Sequence, residues 1–156
     1  MEIVFWAVAN QEQYRIRGNA SIIPTPSHRY HAQFDPLRGP TLTALNREGL
    51  DWELKRRDVF NAMNGRMKAT WCTPLVPGTK LEGGYEEMKK WPRTLPKLGE
   101  ADNEEDKKNL EIALRNFALI VIDPFEVDFV ELGVDPNQRT KFTRDGEQWM
   151  EEIVVP

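Results

Sequence analysis

The sequence has little of what several large classes of protein depend on. It contains one cysteine, Cys72, so it can form neither an internal disulfide framework nor a cysteine-based zinc site. No apolar run approaches the roughly 18 residues of a membrane span, and no signal-peptide pattern surrounds the apolar residues 3–9. With 21 basic and 25 acidic residues the formal net charge is −4, which gives no support to a nucleic-acid-binding surface. We therefore expect a cytoplasmic protein that binds neither nucleic acid nor membranes.

Length and composition indicate an ordinary globular domain. The chain has 156 residues, of which 40% are hydrophobic and 29% charged, and this size predicts one domain over residues 1–156. One segment departs from this pattern. Residues 72–106 are punctuated by proline and glycine and end in an acidic run, so we expect an irregular excursion there.

Hydrophobic patterning predicts a mainly β, α+β protein with six strands and one or two helices. The strands are expected at residues 2–9, 13–23, 117–122, 127–133, 138–144 and 147–155, and the helices at residues 50–64 and 104–114. Residues 2–9 are almost continuously apolar, which is typical of a strand buried on both faces. Residues 123–125 are expected to turn, and Asp145–Gly146 is a hairpin signal. The pattern favours a small antiparallel barrel or α+β sheet over a doubly wound fold.

Candidates for covalent or metal chemistry are few. His28 and His31 lie three residues apart in a proline-rich loop, and the chain has no further histidine. Because no helix aligns them and no cysteine is near, we interpret them as surface residues rather than metal ligands. Cys72 has no histidine close in sequence, so a buried thiol is the preferred interpretation over a nucleophile. The sequence identifies no catalytic residue and predicts no metal.

Arginines on predicted strands remain as candidates for ligand binding. Alternation along the second predicted strand places Gln13, Arg15 and Arg17 on one face. Arg66 follows the first predicted helix, and Arg139 and Arg144 lie on the penultimate strand. Guanidinium groups bind phosphate or carboxylate through paired hydrogen bonds, and an amide can pair with the edge of a heterocycle. Each of these residues also fits the solvent-facing side of an ordinary sheet, and the pattern by itself leaves both interpretations open.

Three separated stretches together resemble the pyridoxamine 5′-phosphate oxidase-like family of flavoproteins. In EIVFWAVANQEQYRIRGNASII, an aromatic-rich strand precedes a Q-(aromatic)-R-I-R-G motif. The stretch DWELKRRDVFNAMNGRMKATWCTPLVPG is similar to the helix, Trp/Phe and Pro-Gly passage of that family. The closing stretch FALIVIDPFEVDFVELGVDPNQRTKFTRDGEQWMEEIVVP resembles the family's last strands and their W…P ending. The resemblance is greatest to the fungal branch, and it covers most of the chain outside residues 24–45 and 80–106.

This resemblance implies an antiparallel FMN-binding split β-barrel that forms a homodimer with FMN between the subunits. By position it implies cofactor-binding roles for Gln13, which matches the glutamine that reaches the flavin, and for Arg139, which matches an arginine near the flavin ring. Arg66 stands where the oxidase has a serine that helps to hold the substrate phosphate. Arg15 and Arg17 belong to the branch motif, and we expect Arg17, beside a glycine, to lie nearer the site.

Two departures from the family pattern refine this expectation. Residues 134–138 lack the arginine and histidine that contact the pyridoxal substrate in the oxidase, so the implied function is FMN-dependent oxidoreduction of another small molecule. The family's first strands, which hold the FMN phosphate, have no counterpart before residue 2, so we expect a barrel that is incomplete at the N-terminus. Two alternatives stay open: a non-catalytic module that binds flavin or another planar anion, and an inactive truncated fragment.

Overall fold

The computed structural model describes residues 1–156 and divides into two compact units. The first unit is built on a sheet and the second on helices. The sheet unit comprises Met1–Ser21, Asp35–Gly49 and Ile120–Pro156, and the helical unit comprises Ile22–Phe34 and Leu50–Leu119.

The five strands pair in chain order, β1-β2-β3-β4-β5, to form one antiparallel sheet. They are β1 (Glu2–Ala7), β2 (Glu12–Ile23), β3 (Leu119–Glu131), β4 (Gln138–Asp145) and β5 (Gln148–Ile153). The sheet does not close, so β1 and β5 are its two edges. The predicted hairpin joins β4 to β5, and Gly146 supplies the positive φ (61°) that this tight turn needs.

β1 is an edge strand, and the prediction that residues 2–9 are buried on both faces is wrong. It pairs only with β2, from Glu2 opposite Arg17 to Ala7 opposite Glu12. Val4 and Phe5 are each 53% exposed and Trp6 is 47% exposed. Apolar patterning reports what a strand can bury, but it does not report whether another element of the same chain covers it.

β3 runs continuously through residues 123–125, where the sequence predicts a turn, so the sheet has five strands and not six. Pro124 is tolerated in this strand because the ladder with β4 begins only at Glu126, which pairs with Thr143. The missing N–H of the proline therefore removes no hydrogen bond from that ladder. The side chain of Asp123, which suggested a turn, is satisfied by other elements of the sheet unit, as described below.

Five α-helices are present where one or two were predicted. They are α1 (Pro40–Arg47), α2 (Trp52–Ala62), α3 (Gly65–Ala69), α4 (Gly84–Met88) and α5 (Glu104–Asn116). α2 and α5 match the two predicted helices, whereas the other three have eight residues or fewer. Helices this short show too few turns for a periodic pattern to be visible. None of the five is long and apolar enough to cross a membrane.

The helical unit has a closed apolar core. Its members are Phe60, Ala69, Cys72, Leu95, Leu110, Ala113 and Phe117. Leu95, which is 3% exposed, joins the segment between α4 and α5 to this core. Arg56 is 1% exposed, and its Nη1 donates to the carbonyls of Leu114 (2.7 Å) and Phe117 (2.8 Å). Arg56 therefore satisfies carbonyls at the C-terminal end of α5, where a helix leaves them without partners.

Candidate functional site

One face of the sheet carries the three polar residues predicted on β2. Gln13, Arg15 and Arg17 occupy alternate positions of this strand, so their side chains point to the same side. A direct contact supports this arrangement, since Arg15 Nε donates to Gln13 Oε1 at 2.9 Å. The alternation that the sequence predicts is therefore confirmed.

Arg139 lies on the same face, two strands away. Glu126 and Asp128 are alternate residues of the intervening strand β3, so they share a face. Glu126 contacts Arg17 of β2 at 3.2 Å, and Asp128 contacts Arg139 of β4 at 2.8 Å. We call the surface that bears Gln13, Arg15, Arg17 and Arg139 the arginine face.

Arg17 is the most heavily paired residue of the arginine face. Its Nε donates to Glu2 at 2.8 Å and its Nη1 lies 3.2 Å from Glu126, so the two neighbouring strands each supply a carboxylate. The hydrogen bond to Glu2 and the charges of the two carboxylates raise the pKa of Arg17 above its ordinary value. The single positive charge of Arg17 is therefore neutralised by two neighbouring carboxylates.

Arg139 is held differently, by a single carboxylate in a two-bond contact. Its Nε donates to Asp128 Oδ1 at 2.9 Å, and its Nη2 donates to Oδ2 at 2.8 Å. The Asp128 side chain is 9% exposed and that of Arg139 is 29% exposed. The hydrogen bonds from Arg139 lower the pKa of Asp128, and the positive charges of Arg139, Lys141 and Arg15 add to them against the effect of burial.

Arg15 and Lys141 supply the positive charge of the arginine face that no carboxylate balances. Lys141 lies directly across the β3–β4 ladder from Asp128, and therefore on this face. Neither side chain has a carboxylate within 4 Å, unlike Arg17 and Arg139. Arg15 retains both Nη groups after its bond to Gln13.

Arg66, another predicted residue, belongs to the helical unit. It is exposed in the first turn of α3, which Asn64 begins by accepting a hydrogen bond from the Met67 N–H at 2.9 Å. A cavity of about 450 Å³ adjoins it. The cavity is lined by Asn64, Gly65, Arg66, Met67, Thr70 and Thr94. Arg66 has no carboxylate within 4 Å, so its charge is available to an anion in this cavity.

The opposite face of the sheet holds a buried cluster around Asp123 and Arg144. The sequence named Arg144 as a candidate for ligand binding, which is wrong because its guanidinium is enclosed and paired; the cluster itself was missed. Asp123 Oδ1 accepts hydrogen bonds from Arg144 Nη1 at 2.7 Å and from the Thr41 hydroxyl. The side chains of Asp123 and Arg144 are only 6% and 13% exposed. Burial alone raises the pKa of Asp123, but the bonds from Arg144 and Thr41 and the charge of Arg144 outweigh it, and the pKa is lowered. The available signal was an aspartate inside the otherwise apolar run LIVIDPF.

The remaining reactive side chains have structural environments. Cys72 is buried, its Sγ donates to the Asn109 carbonyl at 2.7 Å, and burial raises the pKa of the thiol. The interpretation as a buried thiol is confirmed. Trp71 packs edge-on against Phe117 with ring centres 5.4 Å apart. Nowhere in the chain do three or more His, Cys, Asp or Glu side chains converge in a metal-binding arrangement.

Comparison with solved structures identifies one that shares this fold. A pyridoxamine 5′-phosphate oxidase-related, FMN binding protein from Nostoc punctiforme PCC 73102 aligns with a TM-score of 0.60 at 18% identity, over 99% of this chain and 62% of that one. PhzG from Burkholderia lata 383, in complex with tetrahydrophenazine-1-carboxylic acid, aligns with a TM-score of 0.46 at 14% identity, over 98% of this chain and 57% of that one. The chain thus spans less than two thirds of the length of either protein.

No family model matches the sequence, and no curated protein matches it. The likeness to the Nostoc protein nevertheless confirms the predicted fold class. The antiparallel sheet and its helices have the FMN-binding split-barrel fold, with the sheet left open.

Proposed function

We propose that this chain is an FMN-binding protein of the pyridoxamine 5′-phosphate oxidase-like class and that it acts as an oxidoreductase on a small molecule through the bound flavin. The arginine face carries the proposal. It brings Gln13, Arg15, Arg17 and Arg139 together on one surface, in a fold shared with an FMN binding protein. Bound FMN supplies hydride-transfer chemistry, and the protein's part is to bind the flavin, orient it and set the charge around it.

The groups available on this face fit the polar edge of a flavin ring. Gln13 uses its carbonyl oxygen to accept from Arg15, which leaves its NH₂ group free to donate to a ring carbonyl. Arg139 keeps three of its five N–H donors after its two bonds to Asp128. A planar heterocycle with several acceptor atoms along one edge matches this set of donors.

The two arginines of β2 differ in the carboxylates around them. This difference favours Arg15, and not the expected Arg17, as the residue that binds an anionic group of FMN. A phosphate near Arg17 would be repelled by Glu2 and Glu126, which already balance that guanidinium. Arg15 has no such competitor within 4 Å. In the helical unit, Arg66 and the two threonines of its cavity suit an anionic group of a small substrate.

We also propose that the chain forms a homodimer in the cytoplasm. Exposed aromatic residues on both edge strands support a homodimer, since Trp6 is 47% exposed and Trp149 is 43% exposed. The presence of a single cysteine, which is buried, supports a reducing compartment. Sedimentation velocity tests the first statement: the expected result is a species of twice the chain mass, and a monomer at micromolar concentration contradicts it.

FMN titration tests the central proposal. Flavin fluorescence is followed as protein is added, and quenching to a saturating endpoint is expected. Arg15→Ala should weaken binding roughly tenfold, the loss expected for one charge-assisted contact to an anion. Arg57→Ala is the matched control, because Arg57 is an exposed arginine of α2 without an ion pair, and its affinity should equal that of wild type. Absence of saturable quenching by wild type contradicts the proposal.

A second candidate function is a binding module without turnover. The carboxylates that balance Arg17 and Arg139 favour it, because they reduce the positive charge with which the protein could stabilise a reduced, anionic flavin. Anaerobic mixing of the FMN complex with nicotinamide donors separates the two candidates. Bleaching of the flavin absorbance supports the oxidoreductase. Tight binding without bleaching by any donor supports the module.

A further inference from the structure

Among the residues of the arginine face, Arg139 alone has its guanidinium plane fixed by one buried partner. Arg139 lies opposite Val130 in the β3–β4 ladder, and Asp128 lies opposite Lys141, so the pair spans adjacent strands diagonally. Two parallel bonds, of 2.9 and 2.8 Å, join the guanidinium to the carboxylate. This fork-to-fork contact sets the orientation of the guanidinium plane as well as its position.

The contact leaves the outward side of the guanidinium available. Asp128 takes the Nε–H and one Nη2–H, so both Nη1 hydrogens and the second Nη2 hydrogen remain as donors. Arg17 provides the contrast, because its Nε and Nη1 go to two different carboxylates on either side. The charge of Arg17 is thus neutralised by two carboxylates on either side of it, whereas Arg139 is held in one orientation by a single carboxylate and keeps donors on its outward side.

Asp128 also has the surroundings that keep it ionised for this task. Its side chain is 9% exposed and faces three positive groups besides Arg139, namely Arg15, Arg17 and Lys141. Glu126 is the nearest carboxylate on the same strand face, and it is occupied by Arg17. An ionised, buried carboxylate among cations stays in place at neutral pH and holds Arg139 there.

We propose that Asp128 is a positioning residue, which fixes the guanidinium of Arg139 so that its remaining N–H groups meet the acceptor edge of a bound flavin. This inference rests on the proposed function for its ligand. Asp128 itself touches no ligand in this scheme, and its whole effect on binding passes through Arg139. Removing its charge should therefore weaken FMN binding without removing any donor from the site.

Three single variants and one double variant test the proposal. Asp128→Asn keeps the side-chain volume and loses the charge and the paired contact, and we expect roughly tenfold weaker FMN binding by fluorescence titration. Glu126→Gln is the control on the same strand and face, and its affinity should stay within about twofold of wild type. Arg139→Lys keeps the charge without the fork and should lose as much as Asp128→Asn.

The double variant Asp128→Asn/Arg139→Lys distinguishes positioning from a general structural effect. If Asp128 acts only through Arg139, the double variant binds FMN no more weakly than Arg139→Lys alone. Additive losses overturn the proposal, because they show that Asp128 reaches the ligand by another route. Wild-type affinity in Asp128→Asn overturns it as well.

A flavin-free measurement separates failure of this proposal from failure of the proposed function. In ¹⁵N-correlated NMR spectra, the Arg139 Nε–H should give a slowly exchanging signal in wild type and in Glu126→Gln, and it should lose this protection in Asp128→Asn. An unprotected signal in wild type overturns the positioning role. If wild type shows the protected signal but binds no FMN, the proposed function fails and the ligand assignment made here fails with it.

Discussion

Two aspartates of β3 each bind an arginine of β4, but they lie on opposite faces of the sheet. Asp123 is paired with Arg144 beneath α1, and its carboxylate also accepts from Thr41 of that helix. Asp128 is paired with Arg139 on the arginine face. The side chain of Arg144 is 13% exposed, whereas that of Arg139 is 29% exposed. Both carboxylates are buried, but the arginine is enclosed in the first pair and partly accessible in the second.

The difference in enclosure assigns different roles to the two pairs. A buried pair that loses one partner leaves a charge without water or counter-ion, and this is strongly destabilising. Where the arginine of the pair is partly accessible, loss of the carboxylate lets water reach the guanidinium, so the loss is milder. We therefore expect the Asp123–Arg144 pair to serve stability and the Asp128–Arg139 pair to serve ligand binding. Each prediction below tests this division.

The largest effect is expected from Asp123→Asn. This variant keeps an acceptor for Thr41 but leaves the enclosed Arg144 without a counter-charge, which should cost about 3 kcal/mol in the free energy of unfolding. Urea denaturation followed by circular dichroism measures it. Asp128→Asn is the matched control, and it should lose roughly half as much or less because Arg139 can be rehydrated. Equal losses in the two variants contradict the proposed division.

Acid should also lower the free energy of unfolding, by protonating Asp123 and Asp128, and the effect should be reversible. Both carboxyls have pKa values below their ordinary value in the folded protein, so each stabilises the fold above its unfolded pKa of about 3.9. That stability disappears as the pH falls through the lower, folded pKa. The urea midpoint of wild type should therefore drop below about pH 4, and the gap between wild type and Asp123→Asn should narrow there. A gap that stays constant down to pH 2 contradicts this prediction.

The sequence predicts the arginine face better than the face that bears Asp123, for physical reasons. Gln13, Arg15 and Arg17 alternate along one strand, and strand alternation is a local property, so their shared face could be read from the chain. Asp123 was expected in a turn. Its actual partner Thr41 is 82 positions away in sequence, and no local pattern reveals such a contact. Even on the predicted face, the carboxylates that distinguish Arg17 from Arg15 come from neighbouring strands and not from β2 itself.

The enclosure of Asp123 can also be tested from the other side of the contact. Gly39 has a φ of 83°, and a Cβ at this position would meet the Asp123 carboxylate. Gly39→Ala should therefore cost about 2 kcal/mol, part from backbone strain and part from displacement of the carboxylate. Gly146→Ala serves for comparison, since Gly146 also has a positive φ (61°) but has open space around it, and it should cost about 1 kcal/mol. The ψ of 164° at Gly39 adds to the backbone strain there. Thermal or urea unfolding distinguishes the two; similar losses indicate that α1 does not enclose Asp123.

The smallest effect is expected from Glu126→Gln, which removes one of the two carboxylates of Arg17. The Arg17 side chain is 54% exposed, and Glu2 remains bonded to it at 2.8 Å. Water and Glu2 together should satisfy the guanidinium, so the urea midpoint should be indistinguishable from that of wild type. The same variant lowers the negative charge beside the arginine face, and any change in FMN affinity should therefore be a slight increase. A clear loss of stability would show that Glu126, like Asp123, stabilises the fold. The division between one face that serves stability and another that serves ligand binding would then be contradicted.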